Sequence, residues 1–355
     1  MQNLEDISFV SPSLTAGGAE RVITELANYA ATQGLRVNLI VLSRQRHHYE
    51  LNEDIRVYEP DFDLSSLNRL AYQWRIFWWL RGVLKGIGPS NVLSFGGKYN
   101  AFVLLAAFGI NNRIFVSDRS KPTISYGFAL DILNPIVYRL ARGIICQTNI
   151  SKQVQWRRTK HTNIRVIPNP VRVISPRIAA KENRILNVGR FIGTKHQDLL
   201  VGYFDETKTD DWQLDFLGEG PHLERVKALG KSATKSDSIT FYNNTKSIED
   251  YYDRSAIFAF TSSSEGFPNA LAEAMQAGCA CLSFDCEAGP ADLIEDGVSG
   301  FLIPLGNHAL YKEKLQLLVD DPRLCKELGI AAHNRMRVFR VEKIGEAYLD
   351  FMIHS

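Results

Sequence analysis

The segment Glu265-Gly-Phe-Pro-Asn-Ala-Leu-Ala-Glu273 sets two carboxylates around a glycine turn and a proline. Pro268 suits the first turn of a helix, where a missing N–H costs nothing, and Gly278 is a natural stop after Met275-Gln276-Ala277. A helix is therefore expected over 268–277. Its free amides, from Gly266 to Asn269, together with the positive end of the helix dipole would form an anion site suited to a diphosphate. Glu265 stands at the mouth of that site. Glu273 lies about a turn and a half further in, where a carboxylate can accept two hydrogen bonds from a diol such as a ribose but would repel a phosphate beside it. Both acids thus read as hydroxyl binders, and the combination suggests a sugar-nucleotide site. The plainer alternative is a capped core helix with a solvated glutamate at each end.

A second constellation lies in Asn187-Val188-Gly189-Arg190-Phe-Ile-Gly-Thr-Lys195, where a strand ends at Arg190 and Lys195 stands at the start of a helix. When a nucleoside diphosphate leaves a sugar, negative charge grows on its oxygens, and cations already in place stabilise it. Arg brings a rigid fork and Lys a movable point charge, so the pair could stand in for a metal. Two solvated surface bases are the competing reading.

Other candidates are weaker. Gly17-Gly18, between the first strand and a helix carrying Val22, Ile23, Leu26, Ala27 and Ala30 at helical spacing, would let backbone approach a phosphate, although a plain tight turn explains it as well. It is not the Gly-x-Gly-x-x-Gly dinucleotide fingerprint. Asp61-Phe62-Asp63 invites a metal-dependent reading, but it follows Tyr58-Glu59-Pro60 in a polar stretch with no glycine or histidine context, which favours a solvated loop. Gly218-Glu219-Gly220-Pro221 follows a strand, a position that can wall a cleft in an α/β domain.

These residues need a frame to hold them. Short apolar runs alternate with amphipathic stretches almost throughout, the pattern of parallel strands joined by crossover helices, so the fold class is α/β. Strands are expected at 7–10, 36–42, 91–95, 114–117, 143–147 and 164–167. A loop with Pro168-Asn169-Pro170 and a polar stretch over 175–183 interrupt the alternation, which resumes with strands at 184–188, 213–217, 239–242, 256–261, 280–284 and 301–303. Two doubly wound domains facing a central cleft follow, over 1–170 and 171–339, with the last helix, about 340–355, crossing back onto the first domain.

At 355 residues the chain is long enough for two cores, and its 41 basic and 39 acidic residues leave a net charge of +2, which excludes a nucleic-acid binder by bulk charge. The start lacks a basic segment followed by an apolar run, and no uninterrupted apolar stretch reaches spanning length, which reads as cytoplasmic. Cys279, Cys281 and Cys286 match no common zinc spacing, and free thiols in a reducing compartment are expected.

With Gly17-Gly18, Arg190, Lys195 and the Glu265–Glu273 segment in view, the chain resembles a retaining glycosyltransferase of family 4, with the GT-B fold of two Rossmann-like domains. The likeness spans nearly the full length and includes Ile167-Pro168-Asn169-Pro170, Leu217-Gly218-Glu219-Gly220-Pro221, and Ala288-Gly289-Pro290-Ala291-Asp292 through Asp296-Gly297-Val-Ser-Gly300-Phe301. Gly17-Gly18-Ala19-Glu20-Arg21 and Ser94-Phe95-Gly96 resemble the branch that extends lipid-linked or polysaccharide sugars of bacterial surface glycans, such as N-acetylgalactosamine and galactose transferases.

The resemblance implies that Arg190 and Lys195 hold the donor diphosphate, Glu273 the ribose and Glu265 the transferred sugar, with Gly218 and the amides of Gly266, Phe267, Asn269 and Ala270 around the donor. Gly17 and Gly18 would close over the phosphate, and uracil would be read near 242–246. Many members carry a histidine after the strand at 114–117; here the loop reads Ser117-Asp118-Arg119-Ser120, so Asp118 or Arg119 is the candidate substitute on the acceptor side. Implied partners are a nucleotide sugar, UDP by preference, and a glycan on a polyprenyl diphosphate, with no metal or other cofactor and no nucleic acid. A GT-B nucleotide-sugar epimerase and a catalytically silent membrane-bound partner of a glycan-synthesis complex are the alternatives.

A last feature is Asn68-Arg-Leu-Ala-Tyr-Gln-Trp-Arg-Ile-Phe-Trp-Trp-Leu-Arg-Gly-Val-Leu-Lys85. On a helix, Ile76, Phe77, Leu80, Val83 and Leu84 form one apolar stripe, while Trp74, Trp78, Arg81 and Lys85 fall opposite. That outer face suits an anionic membrane surface, with Arg157, Arg158 and Lys160 extending the basic area, and places the chain peripherally on the inner face of the cytoplasmic membrane. The alternative is that another element of the first domain covers the tryptophans.

Overall fold

The computed structural model describes residues 6–15, 17–62, 68–172, 174, 181–209, 211–243 and 247–355. Two compact units emerge, one of Met1–Pro170 with Val341–Ser355 and the other of Val171–Arg340. The first holds strands β1 (Asp6–Ser11), β2 (Arg36–Val41), β3 (Arg56–Tyr58), β4 (Asn91–Phe95), β5 (Arg113–Ser117), β6 (Gly143–Cys146) and β7 (Ile164–Val166). Its helices are α1 (Gly18–Thr32), α2 (Arg69–Gly86), α3 (Gly97–Ala107), α4 (Phe128–Val137) and α5 (Asn149–Thr159). The second holds β8 (Glu182–Val188), β9 (Gln213–Leu217), β10 (Ile239–Tyr242), β11 (Ser255–Phe260), β12 (Ala280–Asp285) and β13 (Phe301–Pro304). Between its strands run α6 (Gln197–Glu206), α7 (Leu223–Ser232), α8 (Ile248–Arg254), α9 (Asn269–Gln276) and α10 (Pro290–Leu293), and after them α11 (His308–Asp320) and α12 (Pro322–Arg335). A final helix, α13 (Val341–His354), belongs to the first unit.

Both sheets are wholly parallel, ordered β3-β2-β1-β4-β5-β6-β7 and β10-β9-β8-β11-β12-β13. The two Rossmann-like sheets expected from the alternating pattern are thus present. Strands buried on both faces read as continuous apolar runs because each successive side chain meets a different helical layer. In β1, Phe9 joins the core under α1 and α13, whereas Val10 joins the one under α2 and α3. In β8, Ile185 and Leu186 divide in the same way between two cores. The one strand not expected is β3, three residues at the sheet edge whose first two are exposed, so no apolar run announces it.

Candidate active site

In the second sheet the chain runs outward from β8 through β9 to β10 and, on the other side, from β11 through β12 to β13. The carboxyl ends of β8 and β11 therefore flank a topological switch point, where ligands bind in open α/β sheets. The loop after β8 carries Arg190 and Lys195; the loop after β11 carries Glu265. Backbone and side chain staple the two together: the Ser263 amide donates to the Thr194 carbonyl (2.9 Å), Thr261 Oγ1 to the Lys195 carbonyl (2.7 Å), and His196 Nε2 lies 2.8 Å from Ser263 Oγ. Lys195 Nζ then meets Glu265 Oε1 at 2.5 Å, with 20% and 10% of the two side chains exposed. Arg190 stands at the same strand end and is exposed, with no ion pair among the described residues.

The glycines of the neighbouring turn have a steric reason. A Cβ on Gly218 (φ +145°) would lie 2.0 Å from the Gly189 carbonyl oxygen, and one on Gly220 (φ +151°) 2.4 Å from that of Phe191. The Phe191 amide donates to the Glu219 carbonyl at 2.8 Å, so this turn forms the bed beneath the Arg190–Lys195 loop.

Helix α9 begins after Pro268, whose ring packs so closely on Gly289 (φ +104°) that a Cβ there would lie 2.2 Å from Pro268 Cδ. The expected row of free amides is shorter than the sequence suggested. The Asn269 amide turns back to the Phe267 carbonyl at 2.9 Å, and Pro268 has none. Glu273 is 9% exposed and accepts from the Tyr252 hydroxyl at 3.1 Å. Burial, and then the Glu273 charge, hold the Tyr252 hydroxyl well above its ordinary pKa, so it stays a donor to that carboxylate. Burial and, secondarily, Glu265 push the Cys286 thiol up to about 12, which makes it inert at neutral pH. All five cysteines are free and buried. Among the described residues no group of three or more His, Cys, Asp or Glu is placed to hold a metal ion.

The first unit has a switch point of its own, between β1 and β4. Gly17 caps α1 there, and the Glu20 carboxylate folds over it, within 2.2 Å of where a Cβ would sit, while accepting from Ser13 Oγ at 3.0 Å. Gly18 is exposed beside Gly17. Asp118 Oδ1 accepts from Tyr138 Oη (2.6 Å) and Asn100 Nδ2 (2.9 Å), and Oδ2 from Gln155 Nε2 (2.6 Å). Burial raises its pKa against these hydrogen bonds. Arg119 donates to Asn169 Oδ1 (2.6 Å) and Tyr348 Oη (2.8 Å), with its guanidinium 3.8 Å from the centre of the Phe95 ring. These contacts tie both side chains to neighbouring elements of the first unit.

On α2, Ile76, Leu80 and Leu84 are buried, and Trp74 (66% exposed) and Trp78 (51%) face outward, edge to face at 5.6 Å. No element of the described first unit covers them. Lys85 is exposed too, but Arg81 is not the surface cation expected. Its Nη1 donates to the carbonyls of Ala106 (2.7 Å) and Phe108 (2.8 Å), where it caps the end of α3. Asp63 and Asn244, Thr245 and Lys246 lie outside the described residues. Sequence reasoning missed Tyr252, His196 and Ser263. None sits in a recognisable motif, because each acts only through a partner distant along the chain.

Two Rossmann-like units, each with its loops gathered at a switch point, define the class: an α/β enzyme of the GT-B architecture. Residues 16–173 match Glycosyltransferase Family 4 and residues 173–335 match the Glycosyl transferases group 1 family, and the chain belongs to these glycosyltransferases. It is similar to an uncharacterized glycosyltransferase of Haemophilus influenzae, 27% identical over 352 residues (94% of this chain, 96% of the relative). It is likewise similar to an N-acetyl-D-galactosaminyltransferase of Campylobacter jejuni named for a PP-undecaprenol-linked glycan, 25% identical with 98% of each chain covered. Anabaena HepE, solved in complex with UDP, shares the fold: TM-score 0.78, 16% identity, 99% of this chain and 100% of that one.

Proposed function

We propose that the chain moves a hexose or N-acetylhexosamine from a UDP-sugar to a lipid-linked or surface-polysaccharide glycan, with retention of anomeric configuration and without a metal. The Lys195–Glu265 pair at the second unit's switch point, beside the start of α9, carries this reading. A permanent cation bound to a carboxylate is a preorganised charge that an incoming diphosphate can recruit, and it frees Glu265 for a sugar hydroxyl. In this reading Arg190 and Lys195 take the diphosphate, Glu273 the ribose, and Gly218, Gly266, Phe267 and Ala270 the backbone contacts. The acceptor hydroxyl forms the new C–O bond on the face from which UDP departs, and the leaving phosphate oxygen takes the hydroxyl proton. The names of the Campylobacter relative and of the HepE complex favour a lipid-linked acceptor and UDP. No helix among the described residues is long and apolar enough to cross a membrane, so the enzyme would meet such an acceptor at the anionic inner surface of the cytoplasmic membrane, with Trp74, Trp78 and Lys85 in contact.

A thermal-shift screen against nucleotide sugars tests the donor assignment, since a ligand bound only by the native state raises the melting temperature. UDP-sugars should give the largest shift. On the substrate so found, Arg190→Ala should lower turnover about a hundredfold or more, the scale of losing one preorganised charge contact. Near-full activity in that variant would remove Arg190 from the mechanism.

A further inference from the structure

Helix α4 is built inside out. Its buried residues are Asn134 and Val137, while Phe128 (85% exposed), Ile132 (52%) and Ile136 (59%) repeat every fourth residue along the open side. The stripe continues into Leu140, 52% exposed in the turn that follows, and Leu133 widens it. Asn134 holds the inner side by donating Nδ2 to the Gly97 carbonyl at 2.9 Å. The face is not an isolated accident. Of the 20 large hydrophobic residues exposed among the described residues, the 13 from Leu70 to Trp156 all lie in the stretch from α2 through α5.

Charge says what this layer meets. Helices α2 to α5 contain eight Lys or Arg (Arg69, Arg75, Arg81, Lys85, Lys98, Lys152, Arg157, Arg158) and one acid, Asp131, a formal +7 in a chain whose whole charge is +2. Asp131 is already engaged, accepting from Ser125 Oγ and from the Tyr126 amide. Two more exposed cations stand nearby, Arg139, next to Leu140 and tied to the Thr159 carbonyl through Nε (3.1 Å), and Lys160 after α5, 4.2 Å over the Trp156 ring. A second copy docking through the same face would set like charge against like charge. An apolar stripe bordered by cations and tryptophans is instead the pattern of an element lying in the interface of an anionic bilayer.

We infer that α4 is the bilayer-inserting element of this protein, its Phe128–Ile132–Ile136–Leu140 edge entering the acyl boundary while the cations of α2 and α5 hold anionic headgroups. This deepens, and rests on, the membrane-surface part of the function proposed above, and it moves the anchor from the tryptophans of α2 to a helix not singled out in the sequence. Cosedimentation of the full chain with vesicles tests it, using phosphatidylcholine alone and phosphatidylcholine mixed with phosphatidylglycerol, with far-UV circular dichroism and melting temperature as folding checks. The wild type should bind the mixed vesicles and release them in high salt. Ile132→Asp/Ile136→Asp should lose more than about tenfold in binding at unchanged fold, since each position forfeits a buried aliphatic side chain. Trp74→Ala/Trp78→Ala should lose less. Equal binding by the α4 variant overturns the inference and leaves the membrane reading to α2. A wild type that ignores mixed vesicles overturns both, and if it is a dimer that the α4 substitutions separate, the occupant is a second copy. UDP binding, measured separately, tests the donor assignment in every case.

Discussion

Lys195 and Glu265 illustrate what a single pair of residues can and cannot do. Their side chains are mostly buried, so each depends on the other: remove the cation, and the carboxylate is left in a poor dielectric without its partner. Lys195→Met should therefore cost about 2 kcal/mol in urea denaturation, and the double variant Lys195→Met/Glu265→Leu should recover part of that loss. Strict additivity would mean that the pair is not coupled in solution. Both residue types were readable as candidates from the sequence, one ending a strand loop and one opening a helix. That they touch was not, because 70 residues separate them and no local pattern encodes a contact across two strand ends. Arg81 shows the opposite error. Helical spacing placed it correctly on the outer side of α2, but spacing says nothing about carbonyls arriving from α3, which claim its guanidinium.

Among the elements, the turns explain why glycine stands where it does. Gly218 and Gly306 both have positive φ, but only at Gly218 would a Cβ collide with backbone, and at Gly306 it would meet nothing within 4 Å. Gly218→Ala should thus destabilise the second unit by about 3 kcal/mol, against about 1 kcal/mol for Gly306→Ala, which carries the backbone penalty alone. Equal shifts in melting temperature for the two variants would contradict this. Most strands could be placed from the sequence, since a parallel strand buried on both faces is a short unbroken apolar run. The edge strand β3 had no such mark. Helix α9 was foreseen from Pro268 and Gly278, while the loss of one of its free amides to the Phe267 carbonyl depended on how tightly the turn before it closes.

At the scale of the molecule, α13 lies far from the first unit in sequence yet fills its core. Tyr348, Phe351 and Met352 are buried against α1 and β5, and Gly143 makes room for Phe351, whose ring lies 2.7 Å from where a Cβ would be. Phe351→Ala should cost the first unit about 3 kcal/mol, visible as an earlier urea transition of that unit; an unchanged transition would show that α13 is not part of its cooperative core. By itself the sequence determined the class of fold, the two-unit division implied by the interrupted alternation, and the residue types suited to a diphosphate, because period and composition are local quantities. Tertiary structure alone decided which candidates meet at a switch point, which cations are consumed as caps, and which apolar helix faces outward. Those outcomes depend on what each side chain finds across the core, and a linear chain does not record its distant neighbours.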